Sequence, residues 1–360
     1  MSHRTDDLRI LDRRPLLPPS ILIEELPLPA EGAAKIASAR RQISAILSGA
    51  DDRLLAVVGP CSIHDPEAGL EYARRLAEQA ARLSDELLVV MRVYFEKPRT
   101  SVGWKGLVND PHLDGSFAIN DGLRLARRLL LDITKLDLPA ATEFLDPITP
   151  QFMADVVAWG AIGARTSESQ VHRELASGLS MPVGFKNATN GSIQIAIDAV
   201  RSSAHPHHFL GVTKQGLAAI LSTRGNRDCH VVLRGGHEGP NYSAEQIAKA
   251  QQALRAAGLT PRLMVDCSHA NSGKDPLRQA AVIDELCRQL ERDSDALCGV
   301  MIESFLVGGS QEQRPGKALT FGQSITDGCL SFERTVPLLE RLAEANRRRR
   351  RHAAGASGAI

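Results

Sequence analysis

The chain has 360 residues, 43% apolar and 24% charged, with a formal net charge of +1. This composition excludes a collagen-like or disordered chain, and the near-neutral charge offers no footprint for nucleic acid or a membrane surface. No apolar run approaches the roughly 18 residues that cross a bilayer. The start Met1–Asp7 lacks the apolar stretch of a secretory signal. Six scattered cysteines without a CxxC pair are expected to be reduced, as core residues or isolated ligands of a cytoplasmic protein.

Residues 1–50 read as an extension, in which Pro15, Pro18, Pro19, Pro27 and Pro29 break any long element before an amphipathic helix at Ala33–Leu47. From 51 to 346, short apolar runs alternate with helical stretches. Strands are predicted at Leu54–Val58, Leu87–Tyr94, Ala140–Phe144, Ala161–Arg165, Val183–Lys186, His230–Arg234, Arg262–Val265 and Gly299–Ile302. The helices that follow them include Gln151–Ala158, Glu168–Gly178 and Phe332–Ala345. Eight strand–helix units make an α/β chain with the count of a (β/α)8 TIM barrel. A doubly wound sheet is the competitor, but no Gly-x-Gly-x-x-Gly follows any of these strands. Phe209–Thr213 and Leu217–Thr223 interrupt the rhythm as an inserted β-hairpin around 207–223. The basic tail, 347–360, is expected to be disordered or a frayed helix end.

The loop Arg92–Pro111 carries Arg92, Lys97, Arg99 and Lys105 on a path stiffened by Pro98, Gly103 and Gly106, with Trp104 at its middle. Such a loop after a buried strand suits an anion such as phosphate. Polar groups also stand at the ends of the other predicted strands: Cys61, Glu143, Arg165, Lys186, Arg234, Asp266 with His269, and Glu303. In a barrel these ends converge on one mouth. Arg92, Arg165, Lys186 and Arg234, with Lys97 and Arg99, form a positive pocket that calls for a multiply anionic ligand. Cys61, His269, Glu303 and, from a later loop, Asp327 make a borderline-soft set suited to one divalent metal, with Zn, Mn, Fe, Co or Cu all admissible.

Several motifs resemble type I 3-deoxy-D-arabino-heptulosonate-7-phosphate (DAHP) synthase: Gly59-Pro60-Cys61-Ser62-Ile63-His64-Asp65, Lys97-Pro98-Arg99-Thr100, Gly103-Trp104-Lys105-Gly106, Gly163-Ala164-Arg165-Thr166, Gly184-Phe185-Lys186-Asn187, Arg234-Gly235-Gly236 and Asp266-Cys267-Ser268-His269. The resemblance runs over nearly the whole chain. It implies a metal-dependent barrel that condenses phosphoenolpyruvate with erythrose 4-phosphate and water and releases phosphate. Arg92, Arg165, Lys186 and Arg234 match the family's phosphoenolpyruvate-binding positions, Lys97, Arg99 and Thr100 its aldose-phosphate positions, and Cys61, His269, Glu303 and Asp327 its metal ligands. Lys97, Glu143, Lys186 and His269 are the implied catalytic groups. The resemblance also implies feedback by an aromatic amino acid at Asp7, Pro150, Gln151, Ser180, Phe209, Gly211 and Leu221, in a homodimer or homotetramer. A small residue at Gly211 goes with tyrosine in related enzymes, and serine there with phenylalanine, which places tyrosine ahead. The sequence departs from the family at Gly308, where a Glu is usual. Alternative readings are a 3-deoxy-octulosonate 8-phosphate synthase and an inactive copy that only senses an aromatic amino acid.

Overall fold

A computed structural model describes residues 3, 5–99, 103–292, 295–314 and 317–357. Eight parallel strands form the barrel: β1 (Leu54–Gly59), β2 (Leu87–Arg92), β3 (Ala140–Glu143), β4 (Trp159–Ile162), β5 (Val183–Lys186), β8 (Cys229–Leu233), β9 (Leu263–Asp266) and β10 (Leu297–Phe305). They pair in that order, and β10 returns to β1 with Leu55 opposite Gly299 and Gly59 opposite Glu303. Because strand side chains alternate, Leu55 and Val57 fill the barrel interior while Leu54, Ala56 and Val58 pack outward against the helices. The short hairpin β6 (His208–Val212) and β7 (Ala218–Ser222) stands apart as an antiparallel pair.

Before the barrel lie helices α1 (Pro19–Glu25) and α2 (Ala30–Ser48). Ile43, Ile46 and Leu47 of α2 join the interior cluster with Leu55, Trp159 and Met264. α2 therefore closes one end of the barrel and leaves the other for chemistry. Helix α1 is not expected from the sequence, where Pro18 and Pro19 read as breakers. Pro19 instead occupies the first helical position, where its fixed φ favours the helix and no N–H is missed.

Three further expectations differ from the structure. The single helix at Gln151–Ala158 is a short α turn, Pro150–Met153, followed by a 3-10 turn, Ala154–Val156. β4 begins and ends earlier than predicted, because Gly163 starts a turn in which the hydroxyls of Thr166 and Ser167 bond back to the Gly163 carbonyl. Arg165 consequently lies beyond the strand end, exposed. The tail is not disordered at its start: the last helix runs Phe332–Ser357. Acidic groups at the ends of two loops hold it there. Arg350 pairs with Asp52 at 2.9 Å and with Glu86 at 3.1 Å, and Arg347 reaches Glu86 at 3.3 Å.

Candidate active site

Parallel strands deliver their last residues to one barrel end, and local turns then aim each side chain. Asp65 caps the helix Pro66–Arg82 by accepting from the Glu67 and Ala68 amides, and the Ile63 amide donates to the Tyr94 carbonyl at 2.8 Å. These bonds fix the turn that carries Cys61. The loop after β2 folds back so that the Lys97 amide meets the Lys105 carbonyl at 2.8 Å. Gly106, at φ 119°, lies so close to Phe95 that a Cβ there would sit 2.0 Å from its carbonyl oxygen. Trp104 donates to the Asp110 carbonyl and its own carbonyl accepts from Arg99 Nε, both at 2.8 Å. The stiffness inferred from Pro98, Trp104 and the glycines thus has specific bonds behind it. Thr100 lies outside the described residues.

Arg92, the last residue of β2, is fully buried. Its Nη2 pairs with Glu303 at 3.0 Å, its Nε donates to the Pro60 carbonyl at 3.0 Å, and its guanidinium lies 3.6 Å from the Tyr94 ring centroid. Lys186 pairs with Asp266 at 2.8 Å. Lys97 Nζ stands 3.1 Å from Cys61 Sγ. Burial works against the Lys97 charge, but Cys61 and Glu303 outweigh it and raise its pKa. Burial lowers the pKa of half-buried Arg234; Asp266 opposes this and Arg165 adds to it. Two cations close enough to repel one another are relieved by an anion between them.

Ligand atoms of Cys61, Glu303 and Asp327 all lie within 4.8 Å of one another. His269 Nε2 is 4.0 Å from Glu303 Oε1, so the imidazole borders this group without belonging to its tight core. The His269 backbone takes φ 56°, a conformation that costs energy for a non-glycine residue and clusters at functional sites. A thiol, an imidazole and two carboxylates match the donor preferences of a divalent transition metal. Burial pushes the Cys61 thiol up, and Glu303 adds to the effect.

Two buried polar atoms at this end have no partner among the described residues: Glu143 Oε1 and the Tyr94 hydroxyl. Unsatisfied buried groups are uncommon in folded proteins, and a ligand or water accounts for them. Sequence reasoning included Glu143 but missed Tyr94, although its place two residues after Arg92 puts it on the same face of the chain. It noted Asp266 only as a strand end.

The expected effector residues fall elsewhere. Pro150, Gln151, Ser180, Phe209 and Leu221 line one cavity of about 600 Å3, together with Arg40 and Asp155. Gly211 lies behind Leu221, and a Cβ there would meet Leu221 Cδ1 at 2.4 Å. Asp7 is not in this cavity; it pairs with Arg13 on an arm that exposes Leu8, Ile10 and Leu11. Gly308 sits in the strand Val307–Ser310, its carbonyl accepting from Gln323 Nε2 at 2.8 Å, so the loop keeps its pairing without the usual Glu.

Residues 32–340 match the model of the DAHP synthetase I family. The chain is 57% identical over 350 residues to the Phe-sensitive phospho-2-dehydro-3-deoxyheptonate aldolase of Escherichia coli, covering 97% of this chain and all of the relative. It is 53% identical over 351 residues to the tyrosine-inhibited enzyme of Schizosaccharomyces pombe, covering 96% of this chain and 94% of the relative. The solved phospho-2-dehydro-3-deoxyheptonate aldolase of Francisella tularensis superposes with a TM-score of 0.92 at 53% identity, covering 95% of this chain and 99% of that one.

Proposed function

The chain belongs to the DAHP synthetase I family, and on that premise we propose how its barrel mouth condenses phosphoenolpyruvate with D-erythrose 4-phosphate and water to give DAHP and phosphate. This is the first step of aromatic biosynthesis. The observation that carries the reading is the convergence of two sets at one barrel end: cations for two phosphorylated substrates, and a thiol–carboxylate–imidazole group beside them.

Arg165 and Arg234, with Lys186 and Arg92, hold the phosphate and carboxylate of phosphoenolpyruvate; Lys97, Arg99 and Thr100 hold the phosphate of the aldose. Cys61, His269, Glu303 and Asp327 would hold a divalent transition metal, which would supply Lewis-acid polarisation of the aldehyde. C3 of phosphoenolpyruvate attacks that aldehyde carbon with the C2–C3 π pair, which leaves a cationic C2 stabilised by the enol oxygen. Lys97, next to Cys61, is placed to donate a proton to the oxygen that becomes an alkoxide. Glu143 takes a proton from the water that adds to C2, its free Oε1 being the acceptor. Phosphate then leaves C2 and the keto group forms. Metal-loaded protein is expected to release phosphate only when both substrates are present. Release without the aldose, or equal turnover of arabinose 5-phosphate, would overturn the assignment.

The role of Glu143 rests on its fixed position. A Cβ on Gly163 would stand 2.2 Å from Glu143 Oε1, so Gly163→Ala has to displace the carboxylate. A misplacement on the order of 1 Å costs about 100-fold in rate. We expect kcat to fall by about that factor with little change in phosphoenolpyruvate KM. A wild-type kcat in this variant would remove Glu143 from the water step.

Feedback is assigned to the cavity of Pro150, Gln151, Ser180, Phe209 and Leu221. Its apolar wall suits an aromatic ring, and the charged groups in its lining, Arg40, Asp155 and Lys214, suit an amino acid zwitterion. Gly211 leaves Leu221 undisturbed and the cavity at its widest, which favours tyrosine with its phenolic oxygen; the 57% identity to a Phe-sensitive relative favours phenylalanine as the second reading. Tyrosine is expected to inhibit at lower concentration than phenylalanine, and Gly211→Ser to raise the half-inhibitory tyrosine concentration by roughly 10-fold. Inhibition curves for the two amino acids decide this, and tyrosine leaving the rate untouched ends the preference. Exposed Leu8, Ile10 and Leu11 on the arm, with Leu210 and Ile220 on the hairpin, support a homodimer or homotetramer in which Asp7 reaches the cavity of another copy. The role in biosynthesis supports a cytoplasmic location.

A further inference from the structure

Asp266 ends β9 with no exposed surface, and its two oxygens face four donors. Oδ2 accepts from Lys186 Nζ at 2.8 Å and stands 3.0 Å from His269 Nδ1. Oδ1 accepts from the Ser268 amide at 3.0 Å and from the Ser268 hydroxyl at 2.6 Å. The Ser268 oxygen lies 2.6 Å from His269 Nδ1. With its proton given to Asp266, that oxygen can only accept from the imidazole. Both neighbours of Nδ1 are therefore acceptors, so Nδ1 carries the hydrogen and Nε2 keeps a lone pair on the Glu303 side.

We infer that Asp266 is a positioning residue that ties the two halves of the site together, orienting Lys186 for phosphoenolpyruvate directly and His269 for metal by way of the Ser268 hydroxyl. The inference rests on the site assignment above. A carboxylate behind a ligating histidine fixes its tautomer and ring direction. Here the same carboxylate also holds the ammonium of the anion pocket, so turning it moves a metal ligand and a substrate-binding cation together. An asparagine at 266 offers one acceptor in place of a charged pair of them. Its NH2 group has to face Ser268, or face Lys186 and His269, which are donors themselves.

The test compares Asp266→Asn, Ser268→Ala and wild type in the full chain, with Co(II) and phosphoenolpyruvate as probes. Co(II) affinity is measured by competition with a chromophoric chelator and by the d–d absorption of the bound ion, and phosphoenolpyruvate affinity by calorimetry. Asp266→Asn is expected to weaken Co(II) binding about 10–100-fold, to alter the Co(II) absorption, and to raise the phosphoenolpyruvate dissociation constant. Ser268→Ala is expected to weaken Co(II) while leaving phosphoenolpyruvate binding near wild type, because it touches only the histidine limb. Wild-type affinities in Asp266→Asn overturn the inference alone, as does a variant that loses only thermal stability. If Asp266→Asn does not fold, unchanged Co(II) affinity and absorption in Ser268→Ala have the same force. A wild-type chain that binds neither probe overturns the site assignment, and the inference with it.

Discussion

Arg92→Met is expected to abolish measurable turnover and to lower stability by about 3–5 kcal/mol, the usual cost of stranding one partner of a buried ion pair. The side chains of Arg92 and Glu303 are 1% and 2% exposed and 3.0 Å apart. No other described cation is within ion-pair distance of Glu303 except His269, whose Nε2 is 4.0 Å away and bears a charge only when protonated. Methionine fills the volume of the stem, so the loss falls on charge and on the bonds to Pro60 and Cys61, which shape the turn carrying the thiol. Two further measurements separate the effects. Arg92→Met combined with Glu303→Gln should recover most of the stability, since no uncompensated carboxylate remains, and none of the activity. Adding a divalent metal should raise the melting temperature of Arg92→Met more than that of wild type, because the ion supplies the missing positive charge beside Glu303. A single variant as stable as wild type without metal would mean that the Arg92–Glu303 pair does not hold the fold together.

The elements that the sequence made legible are those whose signal is local. Runs such as Leu54–Val58 and Val183–Phe185 are apolar on both faces, as strands covered by helices and core must be, and strands appear at those places. The hairpin was visible because its alternation broke the strand–helix rhythm. Local signals failed where a side chain had two uses. Pro19 looked like a breaker and starts a helix; the arginines after Ala345 looked solvated and find Asp52 and Glu86 across the fold. The candidate site divides in the same way. Residue types at strand ends predicted which groups meet, since the barrel brings every strand end to one mouth. Which group pairs with which depends on rotamers and turns. Asp266 bonding Lys186 across 80 residues of sequence, or Gly163 giving way to the Glu143 carboxylate, has no counterpart in spacing. The effector set shows a further boundary: Pro150, Gln151, Ser180, Phe209 and Leu221 meet within one chain, whereas Asp7 lies on an arm whose apolar side chains face outward.

Cys61→Ser separates the metal from the fold. The Cys61 side chain is fully buried, with Lys97 Nζ 3.1 Å and Asp327 Oδ2 3.7 Å from its sulfur. A serine hydroxyl can accept from Lys97 and donate to Asp327, so it is not left unsatisfied, and the stability change should stay within about 1 kcal/mol. What it cannot do is become a soft anionic donor to a bound metal. Removing a supporting partner of a ligand costs about 10–100-fold in metal affinity, and removing a ligand itself should cost more. Metal content after dialysis against a chelator, melting temperature and kcat, measured on one preparation, give the answer. The expected result is a folded chain that retains no metal and turns over only with metal in large excess. Wild type stripped in the same way should regain full rate on stoichiometric metal. Full activity of stripped Cys61→Ser would mean that polarising the aldehyde falls to Lys97 alone, and the cluster of Cys61, Glu303 and Asp327 would then need another purpose.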